Sequence, residues 1–232
     1  MLGQNNGNSG NSYAEKYAIS FRRGAKDAKP FFKVKKYFPE AEELNDTTKI
    51  IGTLKGVLFN PAKTITKKDG GTADIQPSFT AVVEDDIVIL GEDTTSKVVY
   101  YVSVDYGAGA QMRPFLNSLL SAEVGDRVEI STYIAKKQYK VISVTNPDKQ
   151  KEITFKKDWK DATAIVNVGY DWAYNKDDIP EIEFVKDGDE ILKVKDAEAN
   201  EFFKQKIEEK FSKKEEATES SSDEIDVENI PF

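Results

Sequence analysis

Apolar residues recur at every second position through the middle of the chain, and this pattern constrains the fold more than any other feature. From Ile50 to Phe59 every even position is apolar or glycine, which predicts a strand with one buried face. Phe79–Val83 and Ile87–Leu90 make up a second strand region, and the β-prone run Val98–Val104 makes a third. The glycines of the first strand permit tight curvature. These segments predict a mainly β protein.

One helix interrupts the strands. Its apolar residues recur at the spacing of a single helix face: Met112, Phe115, Leu116, Leu119 and Leu120. Pro114 is tolerated in the first turn. Two further strands follow, at Val128–Ile134 and, after a Lys-rich turn, at Tyr139–Thr145. Three strand regions, a helix and two strands are the connectivity of an OB-fold, a five-stranded Greek-key barrel, and another small β-barrel or sandwich is the alternative.

The chain divides into four predicted parts. Residues 1–12 are a flexible polar leader, residues 13–146 form the OB-fold core, and residues 213–232 form a disordered acidic tail. Residues 147–212 are predicted to be an α+β accessory lobe packed on the core. In this lobe residues 183–194 predict a hairpin. Asp196 then precedes a helix with one apolar stripe, formed by Ala199, Phe203, Ile207 and Phe211.

The 232-residue chain has no Cys and no His. Disulfides, Cys/His zinc sites, thiol nucleophiles and imidazole-dependent triads are therefore excluded. No run is long and apolar enough to span a membrane, and residues 1–12 lack the apolar segment of a signal peptide. We expect a cytoplasmic protein without a membrane partner. Acid pairs such as Asp85–Asp86 lie where turns are expected, so we expect no enzymatic activity, no metal site and no cofactor.

Charge is distributed unevenly along the chain. Residues 215–232 carry seven acids and no base, so the net charge of −8 becomes −1 without them. Residues 13–40 hold eight Lys or Arg and three acids, and residues 136–160 hold eight Lys and three acids. Each of these two segments therefore has a net charge of +5. This asymmetry is typical of a nucleic-acid-binding body with an acidic interaction tail.

The segment Phe31–Phe38 combines aromatic residues with lysines. In an extended strand its odd positions, from Phe31 to Tyr37, place rings and lysines on one side, as binding of single-stranded DNA without sequence preference requires. The alternative is a core strand whose lysines reach solvent, and we expect Phe32, Val34 and Phe38 in the core. The predicted DNA-binding residues of this region are Phe21, Arg22, Arg23, Phe31, Lys33, Lys35, Lys36 and Tyr37.

A second group of predicted DNA-binding lysines occupies the turn between the last two strands and consists of Lys136, Lys137 and Lys140. In an OB-fold this turn lines the binding face, whereas an ordinary polar hairpin turn is the alternative. The Lys-containing loop Lys63–Gly71 is a further candidate. The candidate stacking residues Tyr100, Tyr101 and Tyr106 have half-buried packing as their alternative.

The last ten residues read D-E-I-D-V-E-N-I-P-F. Phe232 offers an apolar anchor, its α-carboxylate suits an Arg on a partner, and Pro231 stiffens the backbone beside it. The alternative is a solvated tail that only keeps the protein in solution. This terminus resembles the acidic tip of the single-stranded DNA-binding proteins of bacteria and their phages. The resemblance implies a docking peptide for replication, recombination and repair proteins, formed by Asp223, Glu224, Asp226, Glu228, Ile230, Pro231 and Phe232.

The resemblance implies a single-stranded DNA-binding protein, of the phage type or alternatively the bacterial type. It would coat and protect single strands and recruit partners through its tail, in the bacterial host cytoplasm if a phage encodes it. The chain lacks the long Gly/Gln/Pro-rich linker of the bacterial type and has the extra lobe, so we expect a monomer or dimer. The alternatives are a strand-annealing or helicase-loading accessory protein with the same tail, and a carboxylate-metal nuclease.

Overall fold

Strands account for most of the described part of the protein. The structure is a computed structural model and describes residues 15–22, 28–66, 70–88, 95–106, 112–135, 139–157, 160–187 and 190–212. It confirms the prediction of a mainly β protein. Within these ranges no helix combines the length and the apolar character needed to cross a membrane.

One large sheet contains most of the strands. In chain order the strands are β1 (Glu15–Arg22), β2 (Phe31–Phe38), β3 (Glu42–Glu43), β4 (Lys49–Asn60), β5 (Lys63–Thr66), β6 (Thr72–Ile75), β7 (Ser78–Val88), β8 (Thr95–Asp105), β9 (Arg127–Ala135), β10 (Tyr139–Lys157), β11 (Lys160–Gly169), β12 (Glu183–Asp187) and β13 (Glu190–Lys195). Helix α1 (Met112–Ser121) lies between β8 and β9, and α2 (Ala197–Phe211) follows β13. The sheet has the order β11-β10-β9-β4-β7-β8-β1-β2-β3, and β12 pairs with β13 as β5 does with β6.

The predicted strands and the helix lie where the sequence pattern indicated, with some differences in extent. The runs that begin at Phe79 and Ile87 belong to one strand, β7, because the acids between them continue the pairing with β8. Strand β10 runs on to Lys157 instead of ending at Thr145, and it crosses the expected boundary at residue 146. The strands β5 and β6 form a hairpin where a lysine-containing loop was predicted.

A hairpin of β1 and β2 extends the sheet and makes it curl back on itself. Strand β1 is parallel to β8 and antiparallel to β2. Phe32 of β2 exchanges two backbone hydrogen bonds with Thr47, at 2.7 and 3.0 Å, and Thr47 lies just before β4. The neighbouring Thr48 carbonyl accepts a hydrogen bond from the Thr132 amide of β9 at 2.9 Å. The start of β2 is therefore brought to the side of the sheet that contains β4 and β9.

The core lies between the inner face of the sheet and the two helices. Apolar side chains of both helices and of seven strands are buried together, among them Ile19, Phe32, Leu54, Phe79, Val102, Ile130, Ile142, Phe115, Leu119, Phe203 and Ile207. All four residues of the predicted α2 stripe are buried, which confirms the prediction for that helix. Lys210 Nζ of α2 donates a hydrogen bond to the Leu120 carbonyl of α1 at 2.7 Å. Helix α2 thus belongs to the same core as the central strands.

Candidate nucleic-acid interface

Strand β2 presents two lysines on the outer face of the sheet. Phe32 and Val34 are buried, whereas Lys33 and Lys35 are exposed, which is the alternation that the sequence predicted. Phe31, on the same side as the lysines, is half-buried. The strand therefore contributes to the core and to the outer surface at the same time.

Small residues on β1 leave these lysines uncovered. In the pairing of β1 with β2, Ser20 lies opposite Lys33 and Ala18 lies opposite Lys35. Because directly opposite residues project to the same face, each lysine has only a methyl or hydroxymethyl group beside it on the β1 side, whereas on the other side Glu43 of β3 lies opposite Lys35. The lysine side chains are therefore accessible from solvent.

The charges on this surface differ in their partners. Lys33 forms an exposed ion pair with Glu43 at 3.4 Å. Lys35 and Arg22 are exposed, and neither forms an ion pair with a residue that the structure describes. Exposed ion pairs contribute only about 0–1 kcal/mol, so a phosphate can displace Glu43 at little cost. All three cations are available to an anionic ligand.

Tyr37 packs against a small apolar cluster on the outer face. Its ring centroid is 6.0 Å from that of Tyr101, and the ring planes are inclined by 53°. Tyr101 is only 4% exposed and Val82 is buried beside it, with Leu58 and Val99 partly buried around them. Tyr101 is therefore a packing residue, while Tyr37 is half-buried at the border of this cluster.

Two of the predicted binding residues lie on the inner side of the sheet. Phe21 packs against the core, with its ring centroid 6.3 Å from that of Phe32. Lys36 forms an ion pair with Glu15, whose carboxylate also accepts a hydrogen bond from Tyr17 Oη at 2.5 Å. The hydrogen bond from Lys36 lowers the pKa of Glu15, and burial raises the pKa of Tyr17. Neither predicted residue lies beside the exposed lysines of β2.

Two exposed tyrosines flank the turn between β9 and β10. Tyr133 is 51% exposed and Tyr139 is 55% exposed. Tyr133 pairs with Val141 and Tyr139 pairs with Ala135, so the two rings project from one face at diagonal positions. These tyrosines were not among the predicted binding residues. Their signal was visible in the sequence, as an aromatic residue on each side of a Lys-rich turn.

The curl of the sheet brings this turn toward the start of β2. Thr132 Oγ1 donates a hydrogen bond to the Pro30 carbonyl at 3.1 Å, across 102 residues of sequence. Pro30 directly precedes Phe31, and Thr132 directly precedes Tyr133. Phe31 and Tyr133 therefore lie near each other, and the lysines of β2 follow Phe31 along the strand.

Several predicted residues lie outside the described part of the chain. They are Arg23, Lys136 and Lys137, together with the tail residues Asp223, Glu224, Asp226, Glu228, Ile230, Pro231 and Phe232. Lys140 is described and is half-buried in β10. Where side chains are described, no three acids are grouped as a metal ion would require.

Comparisons with known proteins gave no match. No protein-family model matches this chain, and neither a curated protein nor a solved structure does. A function for this protein therefore depends on its own residues, of which the lysines of β2 and the tyrosines of the β9–β10 turn form the candidate interface.

Proposed function

We propose that this protein binds single-stranded DNA without sequence preference and coats it during replication, recombination or repair. The observation that carries the proposal is the contact of Pro30 with Thr132, which joins the exposed lysines of β2 to the exposed rings at the β9–β10 turn. Lysines neutralise phosphates and aromatic rings stack on bases, and both contacts accept any sequence. The proposed interface consists of Phe31, Lys33, Lys35, Arg22, Tyr133 and Tyr139, whereas Lys140 pairs with Ile134 on the opposite face of β10 and is not part of it.

We take the core to be an OB-fold. Five strands are adjacent in the order β10-β9-β4-β7-β8, and α1 lies between the third and fourth of them in the chain. The first half of β4 pairs with β9 and its second half with β7, so β4 is shared between two parts of a bent sheet. OB-folds bind single strands on the face of their second and third strands and on the turn between the last two. The turn with Tyr133 and Tyr139 corresponds to the latter.

The acidic tail is the proposed recruitment site for other proteins of DNA metabolism. Its Phe232 supplies an apolar anchor, and the acids before it are attracted to a basic patch on a partner. We place the protein in the cytoplasm, as a monomer or dimer, and assign it no enzymatic activity.

Fluorescence anisotropy with oligo(dT) and with duplex DNA, with and without Mg²⁺, tests this function. We expect tighter binding to single strands than to duplex and no shortening of the DNA. The substitutions Tyr133→Ala and Tyr139→Ala should each weaken oligo(dT) binding by about 1–3 kcal/mol, the value of one base–aromatic stack. Both variants should stay folded, because both side chains are exposed.

Trp172→Ala is the matched control for these variants. Trp172 is a 50% exposed aromatic residue in the segment that is hydrogen-bonded to α1, away from the turn. The Trp172→Ala variant should bind oligo(dT) like the wild type. Equal losses in all three variants, or no preference for single strands, would refute the proposed interface. Faster duplex formation would indicate a strand-annealing protein, and shortened DNA would indicate a nuclease.

A further inference from the structure

Strands β10 and β11 continue beyond the body of the sheet as a two-stranded arm. The pairing of β9 with β10 ends at Glu129 and Thr145, whereas β10 pairs with β11 as far as Lys157 and Lys160. Residues 150–157 have no described strand other than β11 beside them, and all of them are exposed. A strand of this length extends about 26 Å. The arm therefore presents both of its faces to solvent.

One face of the arm, which we call the arm face, carries lysines and apolar residues but no acid. Directly paired residues project to the same side, so the register defines this face. It consists of Lys151 with Val166, Ile153 with Ala164, Phe155 with Ala162, and Lys157 with Lys160. The other face is mixed, because Lys156 lies opposite Asp161 and Glu152 lies opposite Ile165.

The lysines of the arm face are not neutralised by the described protein. Five lysines on the body of the sheet form ion pairs with acids, whereas Lys35 forms none with a described residue: the five are Lys33, Lys36, Lys49, Lys55 and Lys97. Lys151, Lys157 and Lys160 form no ion pair with any residue in the described ranges. Lys157 and Lys160 are direct cross-strand neighbours, and like charges at such positions destabilise a hairpin. An anionic ligand would relieve this repulsion.

Phe155 and Ile153 expose apolar surface between these charges. Phe155 is 42% exposed and Ile153 is 37% exposed. Their cross-strand partners, Ala162 and Ala164, are too small to cover them. Phe155 lies two residues from Lys157 on the same face, about 7 Å along the strand. A ring that can stack on a base thus stands next to a cation that can neutralise a phosphate.

We propose that the arm face is a second contact for single-stranded DNA. Its charge is complementary to a polyanion. Its accessible ring can stack on an unpaired base, and this contact favours single-stranded DNA over an acidic peptide. Asn167 belongs to the other face of the arm and donates a hydrogen bond to Glu129, on the outer face of the sheet, at 3.0 Å. The arm face and the tyrosines of the turn therefore lie on opposite sides of the sheet, so only a strand long enough to pass around the arm contacts both.

This inference rests on the proposed function, and strand length separates the two. We would compare the full chain with Phe155→Ala and with the triple variant Lys151→Gln, Lys157→Gln and Lys160→Gln. The probes are an oligo(dT) of about 10 nucleotides, within the range that one OB-fold covers, and one several times longer. Affinity for the long oligo(dT) should fall roughly tenfold in Phe155→Ala. The triple variant should reduce the salt dependence of that affinity by about 2 in log–log slope.

Binding of the short oligo(dT) should be unchanged in both variants. The matched controls are Lys156→Gln and Ile165→Ala, on the other face of the same arm, and they should bind both lengths like the wild type. Unchanged affinity and slope for the long strand would overturn the arm contact and leave the proposed function standing. No binding of either length by the wild type would overturn both. Sedimentation velocity adds one outcome: if the arm variants only dissociate a dimer, the arm is a subunit contact and this proposal is wrong.

Discussion

Neighbouring side chains on β2 have opposite roles. Phe32 and Val34 are buried, and each such side chain contributes about 1.5–3 kcal/mol of transfer free energy to stability. Lys33 and Lys35 reach solvent between them. Lys36 differs from both, because its ion pair with Glu15 attaches it to the fold. The aromatic–lysine pattern alone does not separate the cations that are available to a ligand from the one that is held by the protein.

Gly52 is a position in β4 where the close approach of β7 leaves no room for a side chain. A Cβ at this position would lie 2.6 Å from the Glu84 carbonyl oxygen and 2.7 Å from Val83 Cγ1. The carbonyl belongs to β7 and cannot move without disturbing its pairing with β4. We expect Gly52→Ala to lower the free energy of unfolding by roughly 1–3 kcal/mol, the usual cost of overpacking.

Urea denaturation followed by circular dichroism measures this difference. Gly56→Ala in the same strand is the control, because nothing lies within 4 Å of a Cβ placed there. It should leave the unfolding midpoint close to that of the wild type. Equal midpoints for the two variants would contradict the role assigned to Gly52.

At the scale of the element, β10 is one strand in two environments. Its first half pairs with β9 in the body of the sheet, and its second half forms the arm. Tyr170, directly after β11, fixes the junction: its amide donates to the Val144 carbonyl at 3.2 Å, and its hydroxyl donates to the Arg127 carbonyl at 3.1 Å and accepts from Asn146 Nδ2 at 3.2 Å. Burial raises the pKa of Tyr170 to about 12.

We expect Tyr170→Phe to lower the free energy of unfolding by about 0.5–1.5 kcal/mol per hydrogen bond lost at neutral pH. The pKa of Tyr170 is higher in the folded protein than the usual value of about 10. Its contribution should therefore be complete below about pH 10 and should decline as the pH rises toward 12. Denaturant unfolding of both proteins at pH 7 and at alkaline pH measures the difference. A difference that stays constant with pH would show that the hydroxyl hydrogen bonds do not anchor the arm.

The whole molecule combines a nearly neutral body with a strongly acidic end. Seven acids lie in residues 215–232, and the basic segments lie in the body. A tethered polyanion and a DNA strand are attracted by the same positive potential, and the attraction between them and the body weakens with salt. We therefore expect the tail to affect the proposed DNA binding and the proposed partner recruitment in different ways.

Deletion of residues 215–232 should leave oligo(dT) binding intact or slightly tighter, and the effect should be largest at low salt, where the Debye length is about 30 Å at 0.01 M. Deletion of Phe232 alone should leave DNA binding unchanged, because one apolar residue adds nothing to phosphate contacts. It should abolish partner recruitment, since the aromatic anchor is lost. Anisotropy titrations measure the first two effects, and a pull-down from replicating host cells measures the third. If the full chain and the Phe232 deletion captured identical sets of partners, the recruitment role would be wrong and the tail would only keep the protein in solution.

The sequence by itself determined the features that depend on local periodicity. The alternation from Ile50 onward predicted β4, the spacing from Met112 to Leu120 predicted α1, and the stripe that includes Phe203 predicted α2. These predictions hold because the buried face of each element is formed by residues that are close together along the chain. The alternation of β2 likewise predicted that Phe32 and Val34 are buried and that Lys33 and Lys35 are exposed, whereas Phe38, which was expected in the core, is only half-buried.

Only the tertiary structure decided which strands meet, because that depends on contacts between residues far apart in the chain. It placed β1 parallel to β8, and it paired Phe21 with the buried Phe32 of β2, so that Phe21 faces the core. It brought Pro30 into hydrogen-bond contact with Thr132, so that the start of β2 lies near Tyr133. It also paired Lys36 with Glu15, whereas Lys157 and Lys160 came to lie side by side in the arm. Ion pairs and sheet neighbours depend on how distant segments pack in space. The alternation of buried and exposed residues along one strand therefore does not predict them.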